Sequence, residues 1–95
     1  MRAMKLALNS ISIIDVDNDL KALQEAVGGR IETVGLKGGG VMIVDEEGML
    51  KQYPRNDLAS YISEKHIYGT ALIVGMDISG FFCDVPEQYY VWLGN

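Results

Sequence analysis

His66 and Cys83 are the chain's one histidine and one cysteine, and they are its cheapest route to a nucleophile–base pair. Nothing in their spacing brings them together. Cys83, between Phe82 and Asp84, reads as a small buried thiol. One Cys and one His are too few for a zinc site without two added carboxylates. Asp15-Val16-Asp17-Asn18-Asp19 carries carboxylates at alternate positions, as a calcium loop does. However, Leu20 falls where that loop needs glycine and Ala26 where it needs a bidentate glutamate. The segment therefore reads as a solvated strand end followed by a helix cap. Gly38-Gly39-Gly40 lacks the following helix and the Gly-Lys-Ser/Thr ending of a phosphate loop, and reads as a hairpin turn.

Two polar segments remain. Asp45, Glu46 and Glu47 are consecutive carboxylates. Paired-carboxylate catalysis needs such groups convergent in a cleft, whereas a turn tip points them into water. Tyr53, Arg55 and Asn56 flank Pro54, which fixes φ. Asn56 can bond nearby backbone in a loop or cap the next helix, and the trio can equally recognise a ligand or partner. These six residues are the candidate partner-binding set. No catalytic residue, metal ligand or cofactor is assigned.

The elements that must position them follow from periodicity. Lys5 to Leu8 and Ile11 to Asp17 read as strands joined at Asn9-Ser10. Asn18-Asp19 offers an N-cap to a helix over 19–27, with Leu20, Leu23, Ala26 and Val27 at helical spacing. Gly28-Gly29 supplies its left-handed stop. Ile31–Leu36 and Val41–Val44 read as strands, the second apolar enough for mid-sheet. Met49-Leu50-Lys51 reads as a third strand beyond the acidic turn, completing a meander. Asp57 can cap a short helix through Ile62, and Ile67–Gly75 reads as another strand. Asp84 and Glu87 are spaced as a capping box around Pro86, so the last segment reads as helix, although Tyr89–Leu93 also has strand propensity. All eight aromatic residues lie after residue 52, either completing the core or, at Tyr89, Tyr90 and Trp92, meeting a partner.

The chain has 95 residues, 48% of them apolar, which suits one small α+β domain over 1–95: a mainly antiparallel sheet, one helix on a face and short helices after it. Thirteen acidic residues against eight basic give −5, so counterion release cannot drive direct nucleic-acid binding. The apolar runs are too short for a membrane helix or a signal core, and a single cysteine fits a reducing cytoplasm. Positive mean hydropathy on so small a chain, with open sheet edges, points to a homodimer.

Four segments carry a resemblance: Leu23–Val34, with Leu23-Gln24, Val27-Gly28-Gly29 and Ile31-Glu32; the Asp45–Gly48 turn; Pro54–Ser60, with Pro54, Asn56 and Ala59; and Ile67–Gly75, with Gly69-Thr70-Ala71. The chain resembles the family catalogued as domain of unknown function thirty-eight forty-six, over about residues 5–90. That resemblance implies an origin in bacteriophages, plasmids or integrated mobile elements, and no activity. The expectation is a non-enzymatic accessory protein that binds a host or phage protein, in its concrete form an inhibitor of host defence of the anti-CRISPR or anti-restriction type. A small-molecule or nucleotide-binding module using Tyr53, Arg55 and Asn56 is the alternative.

Overall fold

A computed structural model describes residues 1–94. Strand β1 (Arg2–Ala7) turns at Leu8-Asn9 into β2 (Ser10–Asp15), followed by helix α1 (Leu20–Val27). Strands β3 (Ile31–Gly35) and β4 (Gly40–Asp45) precede helix α2 (Asp57–Ser63). Strand β5 (Ala71–Met76), the two-residue β6 (Phe82–Cys83) and a 3-10 helix (Glu87–Leu93) complete the order. The sheet runs β2-β1-β5-β4-β3 with every pairing antiparallel, so the fold is α+β as the patterning predicts.

The two faces of the sheet differ. One row crosses all five strands through Ile13, Met4, Ile73, Met42 and Val34, and is apolar from edge to edge. Helix α2 and the 3-10 helix contribute Ala59 and Tyr89 to the cluster over this face. The row beneath reads Ser12, Lys5, Leu72, Ile43, Thr33, apolar only in the middle. Helix α1 covers that narrower strip with Leu23 and Val27. Both faces of β4 and β5 are therefore buried, which explains their continuous apolar runs.

Asp19 caps α1 by accepting from the Ala22 N–H at 2.8 Å, and Gly28 ends it at φ +100°. Leu20 belongs to the predicted apolar stripe but is exposed, and the buried residues of α1 are Leu23 and Val27. Three further expectations are corrected. Met49-Leu50-Lys51 is not a strand: the chain coils back on itself, with Lys51 N–H donating to Glu47 and Tyr53 N–H to Gly48. The place beside β4 is taken by β5 instead. Cys83 is exposed, because the short β6 pairs only with the last residues of β5. Asp84 does not cap the 3-10 helix, which has no side-chain cap. Its carboxylate accepts from the Arg2 N–H at 2.8 Å and from the Arg2 guanidinium at 3.3 Å. The backbone bond, and then the guanidinium, hold Asp84 below the usual carboxylate range. No helix among the described residues is long and apolar enough to cross a membrane.

Candidate functional site

The six candidate residues divide into two sites, and each site has one member turned inward. Asp45 ends β4 on the α1 side, only 4% exposed, so it is not the water-facing turn tip that the run of carboxylates suggests. Its Oδ2 accepts from Lys51 Nζ at 2.8 Å and its Oδ1 from the Glu47 N–H at 2.8 Å. Lys51 Nζ also donates to the Gly28 carbonyl at 3.0 Å, tying the loop to the end of α1. Burial alone would raise the Asp45 carboxyl, but the bonds from Lys51 and from the Glu47 N–H outweigh it and hold it below its ordinary value. The same hydrogen bond holds Lys51 above its own. Gly29 packs so close to this pair that a Cβ there would collide with Lys51 Nζ. Sequence reasoning missed Lys51, whose partner can be found only once the loop is seen to coil. Glu46 and Glu47 stay exposed, and Glu46 makes a loose 3.7 Å ion pair with Arg30.

Asn56 is the second inward member, 3% exposed, and its assignment to a partner-binding surface is likewise corrected. Its Nδ2 donates to the Leu6 and Gly69 carbonyls, both at 2.9 Å, while its Oδ1 accepts from the Ala59 N–H and caps α2. The helix is capped by Asn56, not Asp57, which sits in the first turn. Ser60 continues the clasp by accepting from the Ile67 N–H at 2.9 Å. Ile67 and Tyr68 are thereby engaged with the loop before α2, leaving β5 to start at Ala71. Tyr53 is half-buried, its ring laid against Gly69, where a Cβ would come within 2.5 Å of it.

Arg55 alone of that trio faces outward. Its guanidinium meets Asp57 at 2.7 Å on the rim of an open groove of about 810 Å³. The β1–β2 turn, the loop before α2 and the end of the 3-10 helix form its walls. Leu8, Ile11, Leu58, Trp92 and Leu93 give it apolar lining, with Asn9 and Ser10 beside them. Trp92 also packs edge-on against Tyr61, centroids 6.0 Å apart, so apolar surface continues past the groove over α2. Of the suggested aromatic patch, Tyr89 is buried, and Tyr90 and Trp92 are half-buried. Asp15 holds the Met1 amino group at 3.1 Å. Among the described residues no three His, Cys, Asp or Glu side chains are grouped to hold a metal ion.

Fold and surface together define a small α+β protein whose polar loop residues are mostly engaged in its own architecture, with the groove at Arg55 open beside them. A family model described as a domain of unknown function (DUF3846) matches residues 1–93, and the chain belongs to that family. No curated protein and no solved structure matches it.

Proposed function

We propose that the chain is a non-enzymatic accessory protein of a mobile element, and that it acts by seating another protein on the groove rimmed by Arg55. The observation that carries this is the continuity of Leu8, Leu93 and Trp92 with Tyr61 beyond the groove, an apolar surface larger than a small ligand needs. Tryptophan and arginine are the side chains most enriched where interfaces concentrate their binding energy. The concrete form of the proposal is an inhibitor of a host defence protein. Exposed Glu46 and Glu47 and the net charge of −5 would steer it toward a basic partner and speed association.

Capture from host lysate with three variants tests this. Arg55→Glu and Leu93→Asp should abolish capture and raise the dissociation rate, whereas Glu46→Lys with Glu47→Lys should slow association and make it less salt-sensitive. Loss of the complex in the acidic-loop variant alone would put the contact on the wrong face. A small-molecule reading is favoured by one observation, the groove's volume, which falls within the roughly 300–1,000 Å³ of ligand pockets. Native mass spectrometry showing a retained small ligand that Arg55→Glu releases would favour it.

A further inference from the structure

An open sheet has two edges, and here they are built differently. The Met1–Val16 pair exchanges two hydrogen bonds: Val16 N–H donates to the Met1 carbonyl at 2.9 Å, and the Met1 amino group donates to the Val16 carbonyl at 3.0 Å. Antiparallel ladders alternate. The bonded pairs along this hairpin are therefore Ala3–Ile14, Lys5–Ser12 and Ala7–Ser10, and the backbone groups of Ile11, Ile13 and Asp15 point away from β1 to the free edge. The same reasoning on the other edge starts from Glu46 N–H to Arg30 and Leu36 N–H to Gly40, and leaves Ile31, Thr33 and Gly35 facing out.

The β3 edge is guarded. It carries exposed Glu32, begins beside the Arg30–Glu46 ion pair and ends near Lys37, which pairs with Glu64 at 2.9 Å. Charges of this kind oppose strand addition. No charged residue lies between Leu6 and Ile14, and β2 has no proline or glycine to interrupt an added ladder.

We propose that a second copy of this chain pairs with the β2 edge, antiparallel, about a two-fold axis at Ser12. A two-fold contact must be complementary to itself, and β2 meets that condition. With Ser12 on the axis, the outward backbone of Ile11 meets that of the other copy's Ile13, and the reverse. Asp15 then faces uncharged Asn9, so no like charges oppose although each copy carries −5. Ile11 and Ile13 lie on the broad apolar face, half-buried against Met4 and Leu6. Pairing brings the four isoleucines of the two copies onto one surface and extends that row from one sheet into the next. Ser12 points to the opposite face and is exposed. The contact is independent of the groove and of what the groove holds.

The experiment uses the full chain in a Cys83→Ser background, since Cys83 is exposed and would cross-link on its own. Wild-type protein should sediment at about twice 10.5 kDa at micromolar concentration, with little dependence on salt because no two charges face each other across the joined edges. Ser12→Cys should form an interchain disulfide under mild oxidation, because a non-bonded pair across the axis sets its Cα atoms roughly 4.5 Å apart. Thr33→Cys on the β3 edge should not. Ser12→Lys faces two ammonium groups at the axis and should weaken association at least tenfold with an unchanged circular-dichroism spectrum. A wild-type chain that stays monomeric, a dimer that cross-links at Thr33 as readily as at Ser12, or a Ser12→Lys chain that remains dimeric would each overturn the proposal.

Discussion

Asp45 and Asn56 bound the single segment that runs from β4 to α2, both nearly free of solvent, both in stretches whose sequence suggests a surface. Asn56 is neutral and uses both ends of its amide, two donations to carbonyls and one acceptance from a helix N–H. Asp45 is charged and is kept so by a lysine that remains partly in water. A neutral anchor holds its geometry whatever the pH, whereas a charged one depends on its proton. The loop at Asp45 is therefore conditional and the clasp at Asn56 is not.

The harshest test of that contrast is Asn56→Asp. It preserves the cap acceptor and the shape but aims a carboxylate at two buried carbonyl oxygens, so it should cost about 3–5 kcal/mol, the range for stranding a buried charge. Asn56→Ala should cost less, about 1–3 kcal/mol, by leaving its partners unsatisfied. Urea unfolding followed by circular dichroism orders the two, and an Asp variant as stable as the Ala variant would show that the amide donors do not matter.

Asp45→Asn comes next, at about 1–2 kcal/mol near neutral pH, for the loss of a charged hydrogen bond. Its signature is in acid. The Asp45 carboxyl is lowered in the fold, so its contribution is complete above the ordinary 3.8 and disappears as pH falls through the folded value. Wild-type stability should drop below about pH 4 more steeply than that of Asp45→Asn, while Asn56→Ala keeps the wild-type slope. Parallel slopes for wild type and Asp45→Asn would remove the distinction between the anchors.

Gly28→Ala should be milder, about 1 kcal/mol, because the left-handed φ of +100° disfavours a Cβ. It should propagate to the Asp45 loop, since that Cβ would meet the Tyr53 hydroxyl at 2.8 Å. Thermal melts of the single variant and of Gly28→Ala with Tyr53→Phe separate strain from collision. The smallest effect belongs to Glu46→Lys with Glu47→Lys, where the melting temperature should not move, because exposed ion pairs contribute little.

What could be read from the sequence was local. The α1 boundaries follow from Asp19, the apolar spacing and Gly28, all within one element. The run Val41–Val44 reads as mid-sheet because a strand buried on both faces loses its alternation. The acidic turn misleads because the burial of Asp45 depends on Lys51 returning around a coiled loop, and nothing in the residue types encodes that return. Asn56 is recognisable as a possible cap, but its second role requires Leu6, fifty residues away. The groove depends on the β1–β2 turn, the loop before α2 and the 3-10 helix meeting in space, so the residue types suggest Arg55, Asn56 and Trp92 as contacts but not that they line one groove with Leu8, Ile11 and Leu93.

The strand order also sets a timetable for folding. β5 lies between β1 and β4, yet it follows both in the chain. During synthesis the β1–β2 and β3–β4 hairpins emerge first, each held by local contacts and each with an inner edge unfilled. They join only when residues 71–76 arrive, and pairs such as Met4–Ile73 then close long loops between β1 and β5, the first and last along the chain of the five strands in that order. Closure of that kind is slow and all-or-none. A chain cut before residue 71 would leave two hairpins with open edges, prone to join other chains rather than each other.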